Sequence, residues 1–212
     1  MTGQRCIALL RGINVGRAKR IAMADLRQLI GELGCTDVRT LLNSGNVVFN
    51  APPSASPSAP PSASPSASPS APPGAPLSAP PRALAAIAAR IQDAMVVKLG
   101  VVARVMVLGS DELDRIVAAN PLLAVATDPA RLFVFVFSEP GAPALLAPLL
   151  LTDWAPEMLA VGEQAAYLWC PDGVLESKAV GAMGKLLGDG LTSRNWNTVC
   201  KLQALCAEPA KG

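Results

Sequence analysis

The residues with the greatest chemical capacity lie near the end of the chain, in TSRNWNTVCKL at 192–202. There Arg194, Asn195, Trp196, Asn197 and Thr198 stand side by side, although only 16% of the chain is charged and 4% aromatic. Read as the start of a helix capped by Thr192 or Ser193, the stretch offers backbone N–H groups with no intrahelical acceptor. A guanidinium and two side-chain amides flank them, a combination that suits a phosphate or carboxylate. The plainer reading is structural. Trp196, Val199, Leu202, Leu205 and Cys206 recur at helical spacing, which assigns the tryptophan to the core and leaves the cap as a cap.

A second donor-rich segment, RGINVGRAKR at 11–20, leaves the first apolar run. Gly12 and Gly16 permit backbone conformations that turn amides toward a ligand, and Arg11, Arg17, Lys19 and Arg20 add charge. No acid precedes Asp25, so the field here is locally positive. The spacing matches neither nucleotide-binding glycine pattern, and a solvated crossing loop explains it nearly as well.

Other chemistry is poorly supported. The chain has no histidine, which excludes Ser–His and Cys–His nucleophilic arrangements. Ser44 and the pair Ser177–Lys178 are the nucleophile-like positions, and Asp25, Glu32, Asp111, Glu112 and Asp114 read as helix-surface acids. Cysteines at 6, 35, 170, 200 and 206 form no C-x-x-C pair, so reduced, mostly buried thiols are expected rather than a zinc site. No metal and no cofactor is expected. A net charge of +2 makes no whole-molecule case for nucleic acid or membrane binding. The apolar run at 6–10 is too short for a signal peptide, and no segment reaches the roughly 18 apolar residues of a membrane span. A cytoplasmic protein is expected.

The elements that must position these residues follow from periodicity. RCIALL is a strand, MADLRQLIGELG a helix closed by Gly34, and VRTLL and NVVF are strands flanking the turn residues Asn43-Ser44-Gly45. From Ala51 to Pro81, 12 Pro, 9 Ser and 8 Ala make up 29 of 31 residues, a composition that cannot bury enough apolar surface to offset its ordering entropy. A helix over 82–100 and the strand VVARVMVL follow. The order β-α-β-β-α-β is that of a ferredoxin-like unit, with the Pro/Ser/Ala stretch inserted in a loop. The second half is similar but less regular. It has a helix from Ser110 as N-cap, the strand RLFVFVF, a short helix broken near Pro148, strands EMLAVG and QAAYLWC, a helix ESKAVGAMGKLLG, and a last helix from about Thr192 to Ala207. Phe133, Phe135 and Phe137 alternate on one face and are assigned to core. The chain thus reads as α+β, with halves at 1–108 (insertion 51–81) and 109–212.

ALLRGINVG at 8–16, IAMADLRQLIGELGCTDVRTLLNSGNVVF at 21–49, Asn120-Pro121 and SK…TSRNWNTVCKL at 177–202 together resemble the bacterial domain-of-unknown-function family 1697. The insertion, and Arg17 where glycine is common, depart from its pattern. The resemblance implies two ferredoxin-like halves and no assigned activity. It marks Arg11, Asn14, Gly16, Ser44, Gly45, Asn46, Lys178, Arg194, Asn195, Trp196 and Asn197 as candidate site residues. These are almost all hydrogen-bond donors, better suited to holding a phosphate-bearing ligand or nucleic acid than to acid–base turnover. The expectation is an anion site where the first-strand loop and the start of the last helix converge. Its rivals are an enzyme using Lys178 or an acid for proton transfer, and a structural or interaction protein in which the same residues cap, turn and pack.

Overall fold

A computed structural model describes residues 3–14, 20–52 and 81–209, with the side chains of 81 and 82 excepted. The first half contains β1 (Arg5–Arg11), α1 (Met23–Glu32), β2 (Thr36–Leu41), β3 (Asn46–Asn50), α2 (Pro81–Ala94) and β4 (Arg104–Gly109). Its four strands are antiparallel in the order β2-β3-β1-β4. Met95–Leu99 extends α2 as a π-helical turn, closed by Gly100 in the left-handed region.

The second half contains α3 (Ser110–Ala118), β5 (Leu132–Phe137), α4 (Ala142–Leu146), β6 (Met158–Val161), β7 (Ala165–Trp169), α5 (Lys178–Leu187), β8 (Leu191–Asn195) and α6 (Trp196–Ala207). A 3-10 turn over Ala147–Leu151 follows α4. The antiparallel sheet order β6-β7-β5-β8 repeats that of the first half strand for strand. Both halves are therefore ferredoxin-like.

Two expectations need correction. The last helix starts at Trp196, not near Thr192, because 191–195 form a fourth strand that pairs with β5 from Phe137↔Leu191 to Phe133↔Asn195. Thr192 and Ser193 mimic cap residues, yet β5 offers an unpaired edge whose backbone groups they satisfy. Sheet pairing overrides local propensity here. At α3 the N-cap is Gly109 rather than Ser110, and its amide donates to Glu112 Oε2 at 2.7 Å.

The central strands are buried on both faces, which explains their unbroken apolar runs. In β1, Cys6, Ala8 and Leu10 face α1 and α2, whereas Ile7 and Leu9 face the other way. In β5 the three phenylalanines face α4 and α5, as core residues, and Leu132, Val134 and Val136 face away. The remaining faces of both sheets enclose a middle apolar layer with Leu113 and Ile116 of α3 and Val199 and Leu202 of α6. Trp196, Leu205 and Cys206 are half-buried against this layer, so the helical stripe packs between the sheets. Tyr167 is anchored there by donating to the Ile116 carbonyl at 2.7 Å.

Cys6, Cys35 and Cys170 are buried, Cys206 is half-buried and Cys200 is exposed, all as free thiols. Burial pushes Cys6 from the ordinary 9.0 up to about 12 and Cys170 up to about 11. An aromatic disulfide reagent at pH 8 is therefore expected to titrate Cys200 promptly, and the three buried thiols only on unfolding. Simultaneous reaction of all five in the native protein would contradict this packing. The unfolded thiols ionise near 9 while the folded ones hold their protons, so stability is present below that pH and is lost as pH climbs toward 12.

Candidate functional site

Arg194 projects from β8 opposite Val134 and reaches back into the first half. Its Nη2 donates to the carbonyls of Leu10 at 2.7 Å and Ser44 at 3.3 Å. Nη1 donates to the Ser193 carbonyl at 2.7 Å and Thr192 Oγ1 at 3.3 Å, and Nε to Asn46 Oδ1. A guanidinium has five N–H groups, so each has a protein acceptor, and every acceptor is neutral. Burial lowers the pKa of Arg194 to about 10, which still leaves it charged at neutral pH.

The residues around it are held just as firmly. Asn46 is fully buried and donates through Nδ2 to the Leu41 carbonyl at 3.0 Å and to Ser44 Oγ at 2.9 Å. Asn14, with φ of 55°, closes its loop by bonding Ile21 through both amide atoms and the Asn43 carbonyl through Nδ2. Gly45 sits at φ of 75°, and a Cβ there would lie 2.6 Å from Leu10 Cβ. Its carbonyl accepts from the Leu10 amide at 2.8 Å. Thus Asn14, Ser44, Gly45, Asn46 and Arg194 do come together, as a hydrogen-bonded joint between the halves.

The other expected site residues separate from it. Asn195 is the N-cap of α6, its Oδ1 accepting from the Thr198 amide and hydroxyl at 3.0 and 2.7 Å. Trp196 packs on the middle layer, and Asn197 is exposed. Lys178 is the exposed first residue of α5, after Ser177, which caps that helix and donates to Glu157 at 2.9 Å. Gly16, Arg17 and Lys19 lie outside the described residues.

Arg11 points elsewhere. Its Nη1 donates to the carbonyls of Gly188 and Leu191, both at 3.1 Å, and lies 3.4 Å from Asp189 Oδ1. Arg104 is its partner across the β1–β4 ladder and lies 3.5 Å from Asp189 Oδ2. These groups stand at a cleft between the halves, of about 380 Å³. Alanines 85, 88 and 89 of α2, the β4 edge, Phe137 and Thr192 form its walls, and Glu112 and Glu139 also line it. Neither Arg194 nor 195–197 reaches this cleft. The expected convergence of the first-strand loop with the start of the last helix is therefore not the geometry of the cleft, because β8 carries Arg194 to the joint instead.

Sequence reasoning missed Arg104 and Asp189. A cation at the head of a strand and an acid between two glycines both read as solvent-facing, and only chain folding sets them against Arg11. It also missed a second cross-half contact. Asp37 accepts from Arg5 at 2.6 Å and Arg39 at 2.9 Å, and Arg39 holds Glu208 and the Pro209 carbonyl, each at 2.7 Å. Burial works to raise the Asp37 pKa, but the bonds from Arg39 and Arg5 lower it on balance. This cluster ties the chain after α6 to β2. Among the described residues no group of three or more His, Cys, Asp or Glu side chains is placed to hold a metal ion. No described helix is long and apolar enough to cross a membrane.

Fold and joint together define an α+β protein of two ferredoxin-like halves locked by an arginine. Residues 3–60 and 76–167 match the family described as "Protein of unknown function (DUF1697)", and the chain belongs to that family. The gap in the match falls inside the Pro/Ser/Ala stretch, and the match ends before α5, β8 and α6. The fold is similar to that of the conserved bacterial protein SP0830 from Streptococcus pneumoniae, at 19% identity and a TM-score of 0.66, covering 96% of this chain and 98% of that one. The comparison with curated proteins finds no match.

Proposed function

We propose that this protein binds a small anionic ligand, of the size of a mononucleotide, in the cleft between its halves. The observation that carries this reading is the convergence of Arg11 and Arg104, from laddered positions on adjacent strands, on one carboxylate at the cleft mouth. Two guanidiniums so placed suit a phosphate or carboxylate group. The small-residue face of α2 leaves room for the rest of the ligand, and the volume lies within the range of small-molecule sites.

Three carboxylates, Glu112, Glu139 and Asp189, share the cleft. They disfavour a polyanionic nucleic-acid backbone and favour a ligand with one charged end. Arg194 is not a ligand contact in this reading, since its donors are engaged within the protein. Free thiols among the described residues suit a reducing, cytoplasmic setting.

Calorimetric titration with nucleoside monophosphates, inorganic phosphate and small dicarboxylates tests the reading. Arg11→Ala and Arg104→Ala are each expected to weaken binding about tenfold, the loss of roughly one modest charge-assisted contact. Affinity is also expected to fall with added salt. Binding indifferent to both substitutions would overturn it, as would no binding of any of these compounds by either the wild type or an Asp189→Asn variant.

A further inference from the structure

Resting on that reading, we infer that Asp189 is a built-in competitor for the cleft. Its carboxylate occupies the position between Arg11 and Arg104 that the ligand's anionic group takes. Three observations carry this inference.

The pairs are loose and wet. At 3.4 and 3.5 Å, with side-chain exposures of 43% for Arg11, 68% for Arg104 and 62% for Asp189, they belong to a class of ion pair that contributes little to stability. A bidentate anion from solution can therefore replace the carboxylate.

Arg11 does not depend on Asp189 for its position. The carbonyls of Gly188 and Leu191 hold its Nη1 independently, so the guanidinium stays in place, uncompensated, when the carboxylate leaves.

The backbone around Asp189 is tied down while its side chain stands 62% exposed to solvent. The Gly188 amide donates to the Gly184 carbonyl at 2.9 Å and the Gly190 amide to that of Leu187 at 2.7 Å. The Gly190 carbonyl accepts from the Ser138 amide at 2.9 Å and its hydroxyl at 3.0 Å. A Cβ on Gly190 would meet the Leu187 carbonyl oxygen at 2.9 Å, so this turn is closely fitted. Rotation of the Asp189 side chain into solvent is thus the motion that opens the anion position. The charged groups that remain at the cleft are Arg11 and Arg104, with Glu112 and Glu139 also in its lining.

The test is Asp189→Asn, which keeps the shape and removes the charge. Binding of inorganic phosphate and of adenosine monophosphate is measured by calorimetry beside the wild type. Affinity is expected to rise about three- to tenfold, reflecting two released surface pairs. Adding Arg11→Ala to that variant should reverse the gain. Glu176→Gln, an exposed charge change outside the cleft, should leave affinity unchanged and so separates local competition from net charge. Binding by the variant where the wild type shows none would also support the inference. Unchanged or weaker binding by Asp189→Asn, with wild-type binding intact, would overturn it while leaving the ligand site standing. No binding by either protein would overturn the ligand site and the inference together.

Discussion

Arg194→Ala is expected to lower the melting temperature by roughly 6–12 °C, because it dismantles the joint between the halves. Hydrogen bonds to charged groups contribute about 1.5–3 kcal/mol each, and buried acceptors left unpaired add their desolvation penalty. Asn46 is fully buried and Leu10 nearly so, so the Asn46 oxygen and the Leu10 carbonyl lose their Arg194 donor with little access to water. A total loss of about 3 kcal/mol is a conservative expectation, and about 2–4 °C per kcal/mol is usual at this chain length. Arg194→Lys should recover only a minor part, since an ammonium cannot reach acceptors spread around a planar fork. Scanning calorimetry reads both variants. A shift within 1 °C for the alanine variant would mean that the guanidinium is not what holds β8 against β1 and the 42–45 turn. Arg104→Ala serves as the contrast, because its exposed pair should change the melting temperature little.

Gly45→Ala should produce an effect of the same size by a different route. At φ of 75° an L-residue is strained by about 1–2 kcal/mol. The added methyl would also stand 2.6 Å from Leu10 Cβ and 2.8 Å from Ile13 Cδ1, and overpacking typically costs about 1–3 kcal/mol more. Urea unfolding is expected to show a fall of about 2–5 kcal/mol without a change in slope. Ile13→Ala added to Gly45→Ala removes the Cδ1 and Cγ1 atoms that the new methyl would meet at 2.8 and 3.2 Å and should relieve part of the clash, so that the two losses are less than additive. Full additivity would place the strain somewhere other than this contact. Gly31→Ala offers a control, since a Cβ there meets nothing within 4 Å and alanine is the better helix former.

Of these two residues, the sequence pattern marks Arg194 for ligand binding and reads Gly45 as a turn residue. Donor-rich residues in a row carry no information about where their acceptors lie. The stretch 192–198 divides into three uses: Arg194, bonded to its neighbour Thr192, joins the halves, Asn195 caps α6, and Trp196 packs on the middle layer. Only Asn197, exposed and at the helix start, retains the character expected of the whole run.

What the sequence by itself determined is local and periodic. Apolar residues at helical spacing placed α1, α2 and α6, and the runs in β1 and β5 marked strands. The β-α-β-β-α-β order was legible because the handful of topologies open to such a string is small. The low-complexity stretch announced itself by composition. Tertiary structure alone decided three matters. Residues 191–195 became a strand because β5, some 55 positions earlier, left an edge to be paired. Arg194 became a joint because three of its acceptors lie 148 to 184 positions away. Arg11 and Arg104, opposed within one sheet, met Asp189 because the two sheets packed against a shared apolar layer. Periodicity reports which face of an element is buried. The partner of a polar group is set by distances through space, and those exist only once the halves have docked.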